Sequence, residues 1–447
     1  ALLLQDKRCA EAASLYAALV SAAPQDVGLL FNLGLALQNQ AKHQEALVVY
    51  QRLLKINPAD WQGWFALGEC QLMLGDYASA EGALAQVQTL KPDFARLYKA
   101  LTALRMLRGD WAGVEVAFRT GLLYFPDDGR LILGLAVFLM GMGRWEEGLR
   151  LYVRRNDWKT GQKTEFDSVS TVPLAGKSVF IRQDQGLGDE LMFLRFAPRL
   201  KAQGAKTIYY VSPQLRPMLL GHSALDGLVL EGESYPSADV AMLTSDLPIV
   251  AGMRCEADIP PPLPLVADAE MKRSMLAKLQ AFGDPPYIGV TWEAGVKGDE
   301  YAMHKLVDAI ELGKALRHVK ATFVLLQRNP DAAQMQVFLA ALGKSALDMT
   351  ALNDDLCQML ALLDVLDDYV GVSNTNMHLR ASLGKTAKVL LPYPPEWRWM
   401  TEDRPSPWMP GFTSYRQTSK QDWQVALEEL EGDLVNAYGR SAVLGSS

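Results

Sequence analysis

The chain has little cysteine, no long apolar run and no excess of positive charge, and each shortage narrows the range of functions. Its four cysteines, Cys9, Cys70, Cys255 and Cys357, are far apart and show no CxxC or Cys/His ligand spacing. That argues against a disulfide framework or a zinc module and fits reduced thiols in a cytoplasm-like compartment. No apolar stretch reaches the ~18–20 residues of a membrane-spanning helix, and no basic segment followed by a short apolar one opens the chain. A net charge of −7 argues against a general nucleic-acid binder, although a local basic cleft could still hold phosphates. What remains, 447 residues that are 49% hydrophobic and 21% charged, is a globular composition. The length suits about three domains.

The first third is periodic. Prolines at 24, 58, 92 and 126 recur every 34 residues, as do Ala41, Gly75, Gly109 and Gly143. Between these marks Leu33-Gly34, Leu67-Gly68, Leu101-Thr102 and Leu135-Ala136 share one phase. Ala46, Ala80, Val114 and Gly148 share another, and Tyr50, Leu84, Phe118 and Tyr152 follow them. The pattern resembles the tetratricopeptide repeat, a helix-turn-helix unit whose stacking builds a concave surface. Small residues let paired helices approach, and the residues at 41, 75, 109 and 143 end the first helix of each pair. Residue 1 falls in the middle of a unit, so four repeats after a partial first are expected over 1–155, with further repeats ahead of them. The array either props up the next domain or docks a protein or peptide acceptor.

Residues 156–176 lose the period and read as a linker. Apolar runs then alternate with helical patterns. Strands are expected at Ser178–Arg182, Thr207–Val211, Val240–Leu243, Tyr287–Trp292, Thr322–Gln327, Asp368–Val372 and Ala387–Leu391, runs of the kind buried parallel strands show. Helices are expected at Met271–Ala281 and Leu306–Leu316. A proline cluster from Ile259 to Leu265 divides this part into two α/β halves, 177–265 and 266–447, with a cleft between them.

The stretch from Arg182 to Arg195, RQDQGLGDELMFLR, reads as strand end, glycine turn and helix start. Free backbone N–H groups and the positive helix end face the crevice beyond the strand, where α/β domains bind ligands. Gly186 and Gly188 either let the backbone approach a ligand or satisfy a positive φ. Asp189 can cap the helix or act on a substrate. A second turn, Gly371 to His378, has the same form, and Ser373, Asn374 and Thr375 can cap its helix.

The segments QGLGDELMFLRFAPRL, VTWEAG, HKLVDAIELGKAL, GVSNTNMHLRASLGKTAKVLLP, PPEWRWM and SPWMPGFTSYRQ follow one another in an order that resembles the heptosyltransferase-like (family 9) glycosyltransferases. The resemblance covers about 177 to 430. It implies a tetratricopeptide solenoid followed by a GT-B-like pair of Rossmann-type domains. It also implies a nucleotide-diphosphate sugar as donor substrate, with no cofactor and no metal. Asp189 stands where that family places its catalytic base. The turn Ser373, Asn374, Thr375 and His378, with Lys305, stands where it holds the donor diphosphate. Thr291, Trp292 and Gly295 are expected to line the same cleft, and Gln327 and Arg328 either to reach base or ribose or to cap the loop. His378 is either a phosphate ligand or a packed polar residue, and Lys305 either a donor contact or a surface lysine. Trp397, Arg398 and Trp399 either stack on a base or sugar or pack the C-terminal region. The acidic pairs at 127–128, 354–355 and 367–368 read as solvated turns.

The resemblance departs at Ser373-Asn374, where an acid is usual. Two functions follow. One is a cytoplasmic, metal-independent inverting transferase acting on an acceptor held by the repeats. The other is a non-catalytic interaction scaffold with a degenerate transferase domain. Transfer to lipopolysaccharide shares the fold but does not call for repeats.

Overall fold

The computed structural model describes residues 8–154, 173–234, 237–295, 305–419 and 421–441. It divides into two compact units, Ala1–Leu135 and Ala136–Ser447.

In the first unit helices follow one another at short turns: Cys9–Ala22, Val27–Gln38, His43–Ile56, Trp61–Met73, Tyr77–Leu90, Ala95–Leu107 and Trp111–Tyr124, with Gly129–Gly141 running across the division. The residues that mark the period adopt the left-handed conformation, with φ of 58° at Ala41, 76° at Gly75, 70° at Gly109 and 79° at Gly143. After each, an N–H reaches back to the carbonyl five residues earlier, as from Asp76 to Gln71 and from Asp110 to Arg105, both at 2.9 Å. This is the hydrogen bond that closes a helix on a left-handed residue. After Gly75 and Gly109 the next helix starts on an aspartate cap, Asp76 accepting from Ser79 N and Asp110 from Gly113 N. Small residues sit where helices touch. A Cβ on Gly34 would lie 2.5 Å from the Tyr50 ring, and one on Gly68 would lie 3.1 Å from Leu84. Tyr50 and Leu84 are fully buried.

The second unit holds two parallel sheets. The first has strands β1 Ser178–Arg182, β2 Lys206–Tyr210, β3 Gly227–Val229 and β4 Val240–Leu243 in the order β3-β2-β1-β4. The second has β5 Tyr287–Thr291, β8 Thr322–Leu325, β9 Ala346–Asp348, β10 Asp368–Val372, β11 Lys388–Leu391 and β12 Thr413–Arg416, in the order β12-β11-β10-β5-β8-β9. A short antiparallel pair, β6 Glu293–Ala294 and β7 Lys305–Leu306, leaves the end of β5. β5 and β10 are buried at every residue, which is why they read as continuous apolar runs. The helices Ala309–Leu316 and Gln424–Tyr438 cover one face of the second sheet through Leu312, Leu316, Leu427, Leu430 and Leu434.

The chain order reverses between β1 and β4 in the first sheet and between β5 and β10 in the second. Crevices open at such reversals beyond the carboxyl ends of the strands. The segment between the halves is pinned at both ends, with Arg195 Nη1 donating to Pro260 O at 3.4 Å and Leu265 N to Ser382 O at 2.9 Å.

Several expectations change. The division between units falls inside Gly129–Gly141, ahead of residue 155, and the helix Trp145–Tyr152 packs within the second unit, where Trp145 meets Trp408 edge-on at 5.8 Å. Most of the expected linker, residues 155–172, lies outside the described residues. The helix expected from Leu306 starts at Ala309, because Asp308 caps it and residues 305–306 pair with β6. Asp368 is no solvated turn. It begins β10, is buried, and pairs with Lys388 at 2.8 Å. No helix among the described residues is long and apolar enough to cross a membrane.

Candidate active site

Two helix starts meet at the site, one after β1 and one after β10. The helix Leu187–Leu194 begins on Gly186, whose φ of −75° is ordinary extended backbone. Gly188, one residue into the helix, is absent from the positive-φ glycines as well. The positive-φ alternative therefore holds at neither residue. Gly188 is required by packing, since a Cβ there would lie 2.7 Å from Cδ2 of His378 on the helix Thr375–Ser382.

Asp189 is not the cap of its helix, which starts on Gly186. Its carboxylate instead forms an ion pair with Arg398, and it remains 23% exposed. Arg398 also donates to Glu396 at 2.9 Å. Glu396 in turn receives Lys305 Nζ at 2.5 Å and Ser373 Oγ at 3.0 Å. Four charges therefore alternate in a row, Lys305, Glu396, Arg398 and Asp189. Lys305 is only 15% exposed, and a further bond from Nζ to Ser373 O at 2.9 Å fixes it, so it is no surface lysine. Burial pushes the Glu396 carboxyl up, but Lys305 and Arg398 outweigh burial and hold it at about 2. Burial pulls the Arg398 guanidinium down, and Asp189 and Glu396 more than reverse that, so it stays charged.

The loop carrying Arg398 is tied at its backbone. Ser406 Oγ donates to Arg398 O at 2.6 Å, and Arg416 donates to Trp399 O at 2.6 Å and Met400 O at 3.0 Å. Met400 has a φ of 63°, a conformation that costs a buried non-glycine residue about 1–3 kcal/mol and persists where surrounding bonds over-determine it.

Thr291 and Asn374 form the floor at the β5/β10 reversal. Asn374 caps the second helix through Met377 N, and its amide donates to Thr291 Oγ1 at 2.9 Å and Tyr369 OH at 2.9 Å. Thr375 is the first residue of that helix. His378 is 6% exposed, and its Nδ1 finds no partner among the described residues. Burial, then the nearby Arg398 and Arg195, pushes its pKa well below the usual value, so the ring is neutral.

Two expected cleft residues lie elsewhere. Trp292 is fully buried and stacks on Phe338 at 4.9 Å, because the strand's alternation turns it into the core behind the sheet. Gln327 is buried with its amide saturated by backbone. It accepts from Trp292 N and Glu293 N at 3.0 Å each, and donates to Glu293 O at 2.9 Å and Arg328 O at 3.1 Å. It follows the loop-cap alternative, holding the β5 and β8 ends together with no group left for a base or ribose.

Trp397 and Trp399 follow the packing alternative. Trp397 stacks on Phe193 at 6.4 Å and meets Trp408 edge-on at 5.3 Å, and Trp399 is buried. Glu396 was given no role by sequence reasoning, and Arg398 only a stacking or packing one. The pairing of Arg398 with Asp189 joins residues 209 positions apart, which no local pattern signals.

Two tetratricopeptide-repeat family models match the chain, over residues 1–60 and 37–104. Protein FlbA of Caulobacter vibrioides is 24% identical over 450 residues, an alignment spanning 93% of this chain and 74% of FlbA. A structure of MamA from Desulfovibrio magneticus RS-1 is 18% identical, with a TM-score of 0.34, over 36% of this chain and 92% of its own. The glycosyl transferase family 9 structure from Veillonella parvula DSM 2008 is 10% identical, with a TM-score of 0.45, over 60% of this chain and 97% of its own. The N-terminal helices of the chain are thus tetratricopeptide repeats, followed by a parallel-sheet α/β region.

Proposed function

We propose that the chain is a cytoplasmic, metal-independent inverting glycosyltransferase that moves a sugar from a nucleotide-diphosphate sugar to a protein or other large acceptor docked by the repeats. The observation that carries this reading is the convergence of Lys305, Ser373 and Arg398 on one anion beside Asp189. In the reaction Asp189 takes the proton of an acceptor hydroxyl as its oxygen attacks the anomeric carbon. The bond from that carbon to the diphosphate breaks, and its electron pair leaves with the nucleoside diphosphate. Lys305, Arg398 and the N–H groups at the start of Thr375–Ser382 stabilise the charge that develops on the leaving group.

The test is release of nucleoside diphosphate from a panel of nucleotide sugars, with and without candidate acceptors. Asp189→Asn is expected to lower turnover by about 10²–10⁴ while leaving donor binding nearly intact. Unchanged turnover excludes the role of Asp189.

A second reading, a non-catalytic protein-interaction scaffold, is favoured by two observations. Arg398 already occupies the carboxylate of Asp189, and Asn374 is engaged as cap and floor. Calorimetric titration with nucleoside diphosphates separates the readings, since a degenerate cleft binds none.

A further inference from the structure

The anion cradle of the second half already holds an anion from its own chain. Glu396 accepts from Lys305 Nζ at 2.5 Å, Arg398 Nη1 at 2.9 Å and Ser373 Oγ at 3.0 Å, and its side chain is 10% exposed. Two cations and a hydroxyl around one point, the hydroxyl two residues ahead of a helix start, are groups a phosphoryl group takes up. The buried Nδ1 of His378, one turn further along the same helix, has no partner among the described residues.

We propose that Glu396 is an internal stand-in for a phosphoryl group, and that an entering diphosphate must displace it from Lys305, Ser373 and Arg398. This deepens the donor reading above and rests on it for the identity of the ligand. The proposal makes Glu396 a specificity-determining residue. A ligand has to offer more charge and more acceptor oxygens than one carboxylate to win the three donors, which a diphosphate does and a monophosphate does poorly.

The geometry separates what moves from what stays. Lys305 keeps its bond to Ser373 O, and the Arg398 loop keeps its ties to Ser406 and Arg416. The Glu396 carboxylate is held by the three cradle groups, so rotation of its side chain empties the cradle without rebuilding it. While the carboxylate is seated, only a fraction of molecules is competent to bind, and the apparent affinity for a diphosphate falls by that fraction.

The experiment is calorimetric titration of the full chain and of Glu396→Gln with inorganic pyrophosphate and, separately, inorganic phosphate. The glutamine variant is expected to bind pyrophosphate about tenfold tighter than the parent and to lose part of the preference for pyrophosphate over phosphate. Equal or weaker pyrophosphate binding means that Glu396 organises the cradle, and overturns the proposal. Should Glu396→Gln fail to fold, Glu396→Asp, which keeps the charge and withdraws it by one methylene, is expected to show a smaller gain, and no gain overturns the proposal equally. The two readings fail separately. Sugar transfer by the parent without any gain in the variants leaves the donor reading standing and removes the stand-in. A gain in pyrophosphate affinity without any transfer does the reverse.

Discussion

Gly188 and His378 bring the two halves of the α/β part together, with room between them for a hydrogen and not for a methyl group. A Cβ at 188 would stand 2.7 Å from Cδ2 and 3.0 Å from Nε2 of a buried imidazole. Helix propensity favours alanine over glycine by about 0.8–1 kcal/mol, whereas overpacking a buried contact costs about 1–3 kcal/mol. The clash wins, because the ring has no solvent to retreat into. Gly188→Ala is expected to lower stability by about 1 kcal/mol in urea unfolding and, on the proposed donor reading, to weaken nucleotide binding by moving the two helix starts apart. A more stable variant with unchanged binding contradicts this contact.

Ala41 invites the opposite substitution. It occupies the position that glycine fills at 75, 109 and 143, with a φ of 58°, and its side chain is exposed. A left-handed alanine costs about 1–2 kcal/mol, and glycine returns about 0.5–1 kcal/mol of that to the unfolded chain. Ala41→Gly is therefore expected to stabilise the repeats by about 0.5–1 kcal/mol, read as a higher midpoint in thermal unfolding. A lower midpoint contradicts the cost of the left-handed alanine.

The carboxyl of Glu396 is held at about 2, below its ordinary value, so it is charged in the fold and binds a proton more readily once unfolded. Its contribution to stability is complete above the ordinary glutamate range and is lost as pH falls toward 2. The size is about 3 kcal/mol. Glu396→Gln should flatten the acid limb of a stability–pH curve between about pH 4.5 and 2. A limb unchanged by the substitution removes Glu396 from that role.

His378 acts in a higher window. Its depressed pKa keeps the folded ring neutral while the unfolded ring takes a proton, so stability declines as pH drops below the ordinary histidine value of about 6.5. The ring proton resonances of His378 should show no titration through the ordinary histidine range. A titration midpoint near 6.5 would falsify the buried, neutral assignment.

The repeats were legible because their signal is backbone geometry. A left-handed turn every 34 residues demands glycine or a near substitute, and the sequence shows it at 41, 75, 109 and 143. The central strands β1, β5 and β10 were legible because burial on both faces leaves an apolar run. Of the edge strands β4 was legible in its run VAML, whereas β3, β9 and β12 were not, since GLV and ALD are only three residues long and TSYR is mostly polar. In the site, Asp189, Lys305 and Ser373 could be picked out because each stands at an element junction. Trp292 and Gln327 also stand at strand ends, but side-chain alternation and backbone bonds turn them away from the cleft. The Glu396–Arg398 pair lies in a loop whose course depends on Ser406 and Arg416, which only the folded chain brings near.

The row Lys305, Glu396, Arg398 and Asp189 carries two positive and two negative charges and sums to zero. A neutral cluster casts little field into solvent, so the site does not draw anions from a distance. Ligand capture should then proceed at the unsteered rate of about 10⁵–10⁶ M⁻¹s⁻¹ and change little with ionic strength. Removing the charge of Glu396 leaves a net positive cluster, and with it a rate of association that salt slows.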